Sequence, residues 1–244
     1  LIDLDRKFTF SNCILDKDVE NINLKSALLK IDSMSTYAIG HLVNQICQRL
    51  TENQIYLNIG CWKGFTLISG MLGTSCKVIG VDNFSQFDGP KNIFYSNFEK
   101  YKNKKKHFFY DQDYKVFFKN FEKKNEKVSF YYYDGEHSYK NQYENLEIAD
   151  NFLDKNSIVL IDDINFQEVN KAIADQISAG RDLSIATGSQ VAFEQQSTTG
   201  IDGTLRELGA TIVPFFVDSI EEATANNKDR VTAAAKELVD ANSE

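Results

Sequence analysis

Tyr56-Leu57-Asn58-Ile59-Gly60-Cys61-Trp62-Lys63-Gly64, followed by Lys77-Val78-Ile79-Gly80-Val81-Asp82, decides the fold. The first segment reads as a strand entering a glycine turn, the apolar run from Phe65 as a helix, and the second segment as a strand ending on a carboxylate. Gly60 and Gly64 remove side chains where backbone must pass close to a ligand, and the helix opening near Gly64 presents N–H groups without intrahelical partners. Asp82, at a strand end, can accept hydrogen bonds from both hydroxyls of a ribose. The spacing is not the Gly-x-Gly-x-x-Gly dinucleotide fingerprint, because position 62 is a tryptophan and no glycine is left to hug a pyrophosphate. That argues against NAD and for a smaller adenosine ligand. Taken singly, the glycines can serve only a tight turn and Asp82 only a loop cap; the ordered set favours cofactor binding.

The surrounding pattern alternates. Apolar residues at helical spacing, Tyr37, Ile39, Leu42, Val43, Ile46 and Leu50, precede strand Ile55–Ile59, and Phe65–Leu72 is the helix behind it. Further strands are expected at Lys77–Val81, His107–Tyr110, Val128–Tyr133 and Ser157–Ile161, with helices at Lys115–Phe121, Lys140–Phe152 and Phe166–Ser178. Strands alternating with helices imply right-handed crossovers and a Rossmann-like, doubly wound, mostly parallel α/β sheet covered on both faces. Beyond Gly180, Leu183–Ala186 and Val191–Glu194 read as a hairpin around Thr187-Gly188-Ser189-Gln190, and Ala210–Val217 as another strand.

A second signature reads Tyr133-Asp134-Gly135-Glu136-His137-Ser138-Tyr139, then Ile158-Val159-Leu160-Ile161-Asp162-Asp163. With Gly60, Gly64 and Asp82, it resembles the class I S-adenosylmethionine-dependent methyltransferases, and within them the macrocin O-methyltransferase-like branch. The resemblance covers roughly residues 35 to 172. It implies S-adenosylmethionine as cofactor, with Asn58, Gly60, Gly64, Asp82 and Asp111 at its site. Asn58 departs from the acidic residue usual two places before the first glycine; it keeps the hydrogen bonding and loses the charge that favours the methionine ammonium. Asp111 falls where the resemblance places a polar residue near adenine and can accept from the exocyclic amine. Asp113 is the competing choice, and a helix N-cap is the structural alternative for either.

Methyl transfer to an alcohol requires the hydroxyl to lose its proton. A divalent cation on hard oxygen ligands, Mg²⁺ by preference, would lower the alcohol pKa, and the resemblance implies Asp134, Asp162 and Asp163 as its ligands. One of the adjacent pair is expected instead to cap the helix starting near Phe166. His137, three residues after Asp134, is the candidate general base, with Asp134 beside it as its catalytic partner. His41 lies in a helix pattern and His107 in a lysine-rich approach to a strand, outside both signatures. Ser138 and Tyr139 are expected to shape the loop.

The chain of 244 residues suits one α/β domain with an appendage. The methyltransferase-like domain is expected over residues 1–195, its cofactor half at about 52–115 and its acceptor and metal edge at about 128–170. Residues 1–171 carry a net charge of −1 and the remaining 73 a net −7, so residues 196–244 read as an acidic, Ala/Thr-rich extension with helix at Asp218 to Asp240. The lysines at 100, 102, 104, 105 and 106 form a basic run, but the acidic total of −8 favours a solvated face over nucleic-acid binding. Cys13, Cys47, Cys61 and Cys76 lack metal spacing and fit a reducing, cytoplasmic setting. No apolar run reaches membrane-span length. The chain opens on Leu1, as a processed or partial chain would, so the lack of a signal-peptide pattern carries little weight. The acceptor is expected to be a small molecule or a sugar, and a homo-oligomer is compatible with the composition. An alternative is a methyltransferase-fold domain without turnover, serving binding or assembly; Asn58 and the acidic extension motivate it.

Overall fold

Apolar residues on both faces of consecutive strands build the centre of the molecule. In Val128–Tyr133 every residue is buried: Phe130 and Tyr132 enter one core, Tyr131 and Tyr133 the other. The same alternation splits β1, with Tyr56 on one face and Ile55, Leu57 and Ile59 on the opposite face. The computed structural model describes residues 22–35, 37–164, 166–179 and 185–188. In chain order the elements are α1 (Ile22–Leu28), α2 (Tyr37–Arg49), β1 (Ile55–Ile59), α3 (Phe65–Met71), β2 (Lys77–Asp82), α4 (Lys91–Tyr101), β3 (His107–Asp111), α5 (Tyr114–Phe121), β4 (Val128–Tyr133), α6 (Tyr139–Asp150), β5 (Leu153–Asp162), α7 (Gln167–Ser178) and β6 (Ile185–Gly188).

The sheet order is β3-β2-β1-β4-β5-β6, and every neighbouring pair is parallel. The order reverses between β1 and β4, which opens a crevice beyond their carboxyl ends. One core joins α1 to α4 to the sheet, and the other joins α5, α6 and α7 to its opposite face. Within the first layer α2 is tied to α3. Asn44 of α2 donates to the carbonyls of Ser69 and Leu72, both at 2.8 Å, closing the carboxyl end of α3.

The expected doubly wound α/β fold is present, with differences at particular elements. Strand β5 starts at Leu153 rather than Ser157, with a register shift between Val128 and Phe130 that absorbs the polar Asp154-Lys155-Asn156 segment. Helices α1 and α4 were not anticipated. The expected hairpin after Gly180 places Thr187 and Gly188 in its turn; instead they continue β6, because Ile161 and Asp162 extend β5 far enough to pair with them in parallel. Val191–Glu194, Ala210–Val217 and the acidic helix at Asp218 to Asp240 lie outside the described residues. In the lysine run, Lys102 pairs with Glu99 and Lys106 donates to the Thr74 carbonyl, so part of it serves the fold. No described helix is long and apolar enough to cross a membrane.

Candidate active site

The glycine turn after β1 is shaped by close backbone approach. Gly60 has φ +81°, and a Cβ there would lie 1.9 Å from the carbonyl oxygen of Asp134 at the end of β4. Only glycine lets the two strand ends meet, and Asp134 N–H seals them by donating to the Ile59 carbonyl at 2.8 Å. Gly64, φ +96°, caps α3. Asp82 holds the turn from β2: one carboxylate oxygen accepts from the amides of Cys61 (2.7 Å) and Trp62 (2.8 Å), the other from Phe84 (2.7 Å). A carboxylate offers about four acceptor positions, so about one remains for a ligand hydroxyl.

Around this turn lies a cavity of about 340 Å³. Gly60–Trp62 form its floor, Ser33–Ser35 one wall, Asn83–Phe87 a second, Gln112–Tyr114 a third, and Asp134–His137 with Asp163 the fourth. Of the six non-glycine residues with positive φ among the described residues, four line it: Trp62, Phe84, Phe87 and Asp163. Backbone strain of this kind persists where the surroundings over-determine it and concentrates at functional sites. Large exposed apolar side chains gather at the mouth: Met34 (42% exposed) and Phe87 (57%) line the cavity, and Phe166 (49%) stacks on His137, centroids 5.6 Å apart and planes at 18°.

Asp134, His137 and Asp163 meet at the carboxyl ends of β4 and β5, with one ligating atom from each lying within 4.8 Å of the others. His137 Nε2 is 3.4 Å from Asp163 Oδ2 and 3.8 Å from Asp134 Oδ1, is buried, and makes no hydrogen bond. Burial pushes the Asp134 carboxyl up to about 6, His137 pulling it back and Asp163 raising it further. Burial likewise raises Asp163, opposed by His137. Burial alone would lower His137, but Asp134, Asp163 and Glu136 outweigh it and leave the imidazole above its ordinary value. Two carboxylate donors at the cavity wall suit a hard divalent cation, and His137 Nε2, left without a hydrogen-bond partner beside them, is placed to take a proton.

The structure brings Gly60, Asp82, Asp134, His137 and Asp163 to one cavity and leaves the other expected residues off it. Gly64 sits just behind the floor. Asn58 is fully buried: its amide nitrogen donates to the Gly60 carbonyl at 3.0 Å and its oxygen accepts from the Thr66 hydroxyl at 2.9 Å, so it braces the turn from below. Asp162 faces inward, accepting from Tyr132 OH at 2.8 Å and from the Asp163 amide at 2.9 Å. Burial, with Asp134 and Asp163 nearby, raises its carboxyl. It is therefore absent from the group of Asp134, His137 and Asp163, because strand alternation turns it into the core. Asp111 is exposed and pairs with Lys91, leaving the cavity wall to Gln112 and Asp113; Asp113 caps α5 by accepting from Lys115 N–H at 2.8 Å. Ser138 caps α6, and Tyr139 donates through its hydroxyl to Asp175 at 2.8 Å. His41 and His107 lie off the cavity. Burial takes His107 down to about 4.

Sequence reasoning missed the wall at Ser33–Ser35 and the loop Asn83–Phe87. The Gly89-Pro90 pair announces the end of that loop and the start of α4, but nothing in the spacing of Phe84 and Phe87 says that they face a ligand.

Comparison with known proteins agrees with this geometry. Residues 57–164 match a family model described as a methyltransferase domain. No curated protein sequence matches the chain. Among solved structures, the O-methyltransferase from Bacillus cereus in complex with SAH superposes with a TM-score of 0.50 at 14% identity, over 84% of this chain and 82% of that one. Cofactor-bound Rv0187 from MTB gives 0.49 at 12% identity, over 85% and 84%. The chain thus has the class I S-adenosylmethionine-dependent methyltransferase fold, with residues 57–164 matching a methyltransferase domain.

Proposed function

We propose that this protein transfers the methyl group of S-adenosylmethionine to a hydroxyl oxygen of a small molecule or sugar, with a divalent cation such as Mg²⁺ assisting, in the manner of the macrocin O-methyltransferase-like branch. The observation that carries the reading is one cavity that holds both the glycine turn with Asp82 and the Asp134, His137 and Asp163 group. Gly60 to Trp62 would take the adenosine, the remaining acceptor position of Asp82 a ribose hydroxyl, and Gln112 with Asp113 would hold the base. Asp134 and Asp163 would hold the cation, which when bound would lower the pKa of the acceptor hydroxyl and fix its position. His137, its ring fixed by Phe166, takes the hydroxyl proton at Nε2. The imidazole would hold that proton while the acceptor oxygen attacks the methyl carbon and the sulfonium leaves as a neutral thioether.

The reading of a domain without turnover leaned on Asn58 and on the acidic extension: the Asn58 amide is committed to the turn and so supplies no argument against a cofactor, and the extension lies outside the described residues. The test is transfer of labelled methyl from S-adenosylmethionine to a panel of phenols, sugars and hydroxylated metabolites, with Mg²⁺ and with chelator. Transfer that chelator suppresses is expected. Methylation confined to nitrogen or carbon acceptors would overturn the O-methyl reading.

A further inference from the structure

Lys63 lies in the glycine turn but does not line the cavity; its ammonium contacts the residue next to one wall and a residue of the floor. It pairs with Asp32, the residue immediately before the Ser33–Ser35 wall, and it stands 4.0 Å from the centroid of the Trp62 ring, which forms part of the floor. The Lys63 side chain is only 14% exposed and Asp32 36%, so the pair is better shielded than an ordinary surface ion pair. The turn is anchored from a third side, because Asn97 of α4 donates to the Lys63 carbonyl at 2.9 Å.

The wall that Asp32 introduces is short and locally shaped. Ile31 is buried in the core, and the Ser33 hydroxyl accepts from Ser35 N–H at 2.8 Å and donates to the Ser35 carbonyl at 3.1 Å. Between these anchors Met34 projects at the cavity mouth. The chain between α1 and α2 thus reaches the glycine turn through the Asp32 to Lys63 contact, while Ile31 anchors it in the core. Trp62 has φ +44°, a backbone state costly for an aromatic residue, and a cation over its ring is one of the contacts that can hold it there.

We propose that Lys63 is a positioning residue for cofactor binding: by pairing with Asp32 and covering Trp62, it holds the Ser33–Ser35 wall against the glycine turn, so that the cofactor is gripped between them. The assignment rests on the proposed S-adenosylmethionine site. A cofactor entering between the wall and the turn gains from having both in place beforehand, since ordering them at the moment of binding would subtract from affinity.

The test uses the full chain and S-adenosylhomocysteine as probe, with Lys63→Met, Asp32→Asn, the double variant and Lys63→Arg. Titration calorimetry is expected to show the dissociation constant rising at least tenfold in each single variant. The double variant should be no worse than either single one, and Lys63→Arg should stay within threefold of the parent. Amide hydrogen exchange of the ligand-free protein should rise at residues 31–35 in Lys63→Met, while exchange in the strands is unchanged. Parental affinity in Lys63→Met, or additive losses in the double variant, would overturn the proposal. If the parent itself fails to bind the probe, the cofactor reading fails, and the positioning role is then decided by exchange at residues 31–35 alone, where no change would overturn it.

Discussion

Gly60 faces the tightest steric demand at the site. A methyl group there would press within 1.9 Å of the Asp134 carbonyl oxygen at a φ that L-residues avoid. Gly60→Ala is therefore expected to destabilise the protein by at least about 3 kcal/mol or to prevent soluble folding, read by denaturant melts. Asn58→Asp makes a subtler test. It keeps the acceptor for Thr66 but sets a carboxylate against the Gly60 carbonyl that the amide now donates to, and about 1–3 kcal/mol of stability should be lost. His137→Ala and Asp134→Asn should each lower turnover by about a hundredfold or more while leaving the melting temperature within a few degrees, since general-base catalysis is worth that much. The signatures around Gly60, Asp82, Asp134 and His137 were readable because strand ends and glycine turns write themselves into spacing. Asp162 and Asp163 could not be separated that way. Which of two neighbouring carboxylates faces the core depends on where β5 ends, and here Tyr132 takes Asp162 and a left-handed backbone turns Asp163 outward.

Element boundaries followed burial more than propensity. β1, β4 and α5 could be read almost to the residue, because their apolar positions alternate or repeat without interruption. Helix α4 was hidden: only Phe94 and Phe98 of its residues are buried, and the asparagine and serine between the apolar positions blur the helical period. The loop before it is fixed by Phe84 packing on Phe94 and Phe109, contacts distant in sequence from any glycine motif. Asp111 shows the same limit, since its partner Lys91 comes from α4, the element that was missed. Helix α5 offers a direct check of local capping. Asp113→Ala should cost about 1 kcal/mol by removing the bond to Lys115 N–H, measured as a shift in the denaturation midpoint.

In the folded protein as a whole, the acidic group at the β4 and β5 ends is a source of pH sensitivity. Asp134, Asp162 and Asp163 all carry carboxyls raised by burial, Asp134 to about 6, and His137 is raised by its acidic neighbours. A group whose proton is held more tightly in the folded state contributes stability at low pH and loses it as pH rises. The ligand-free protein should therefore lose stability as pH climbs from about 4 through 6, where the Asp134 carboxyl ionises, and further as His137 gives up its proton. Thermal melts across that range should show the decline, Asp163→Asn should flatten it, and Mg²⁺ should raise the melting temperature more at pH 8 than at pH 5. On the proposed function, a bound cation would relieve the same charge crowding.

The measurement that decides the account is titration calorimetry of the full chain with S-adenosylhomocysteine, with and without Mg²⁺. Saturable one-to-one binding is expected, weakened at least tenfold when Asp82→Ala disturbs the glycine turn. A folded sample that takes up no S-adenosylhomocysteine under either condition would contradict the assignment of the cavity over Gly60 and Asp82 as a cofactor site.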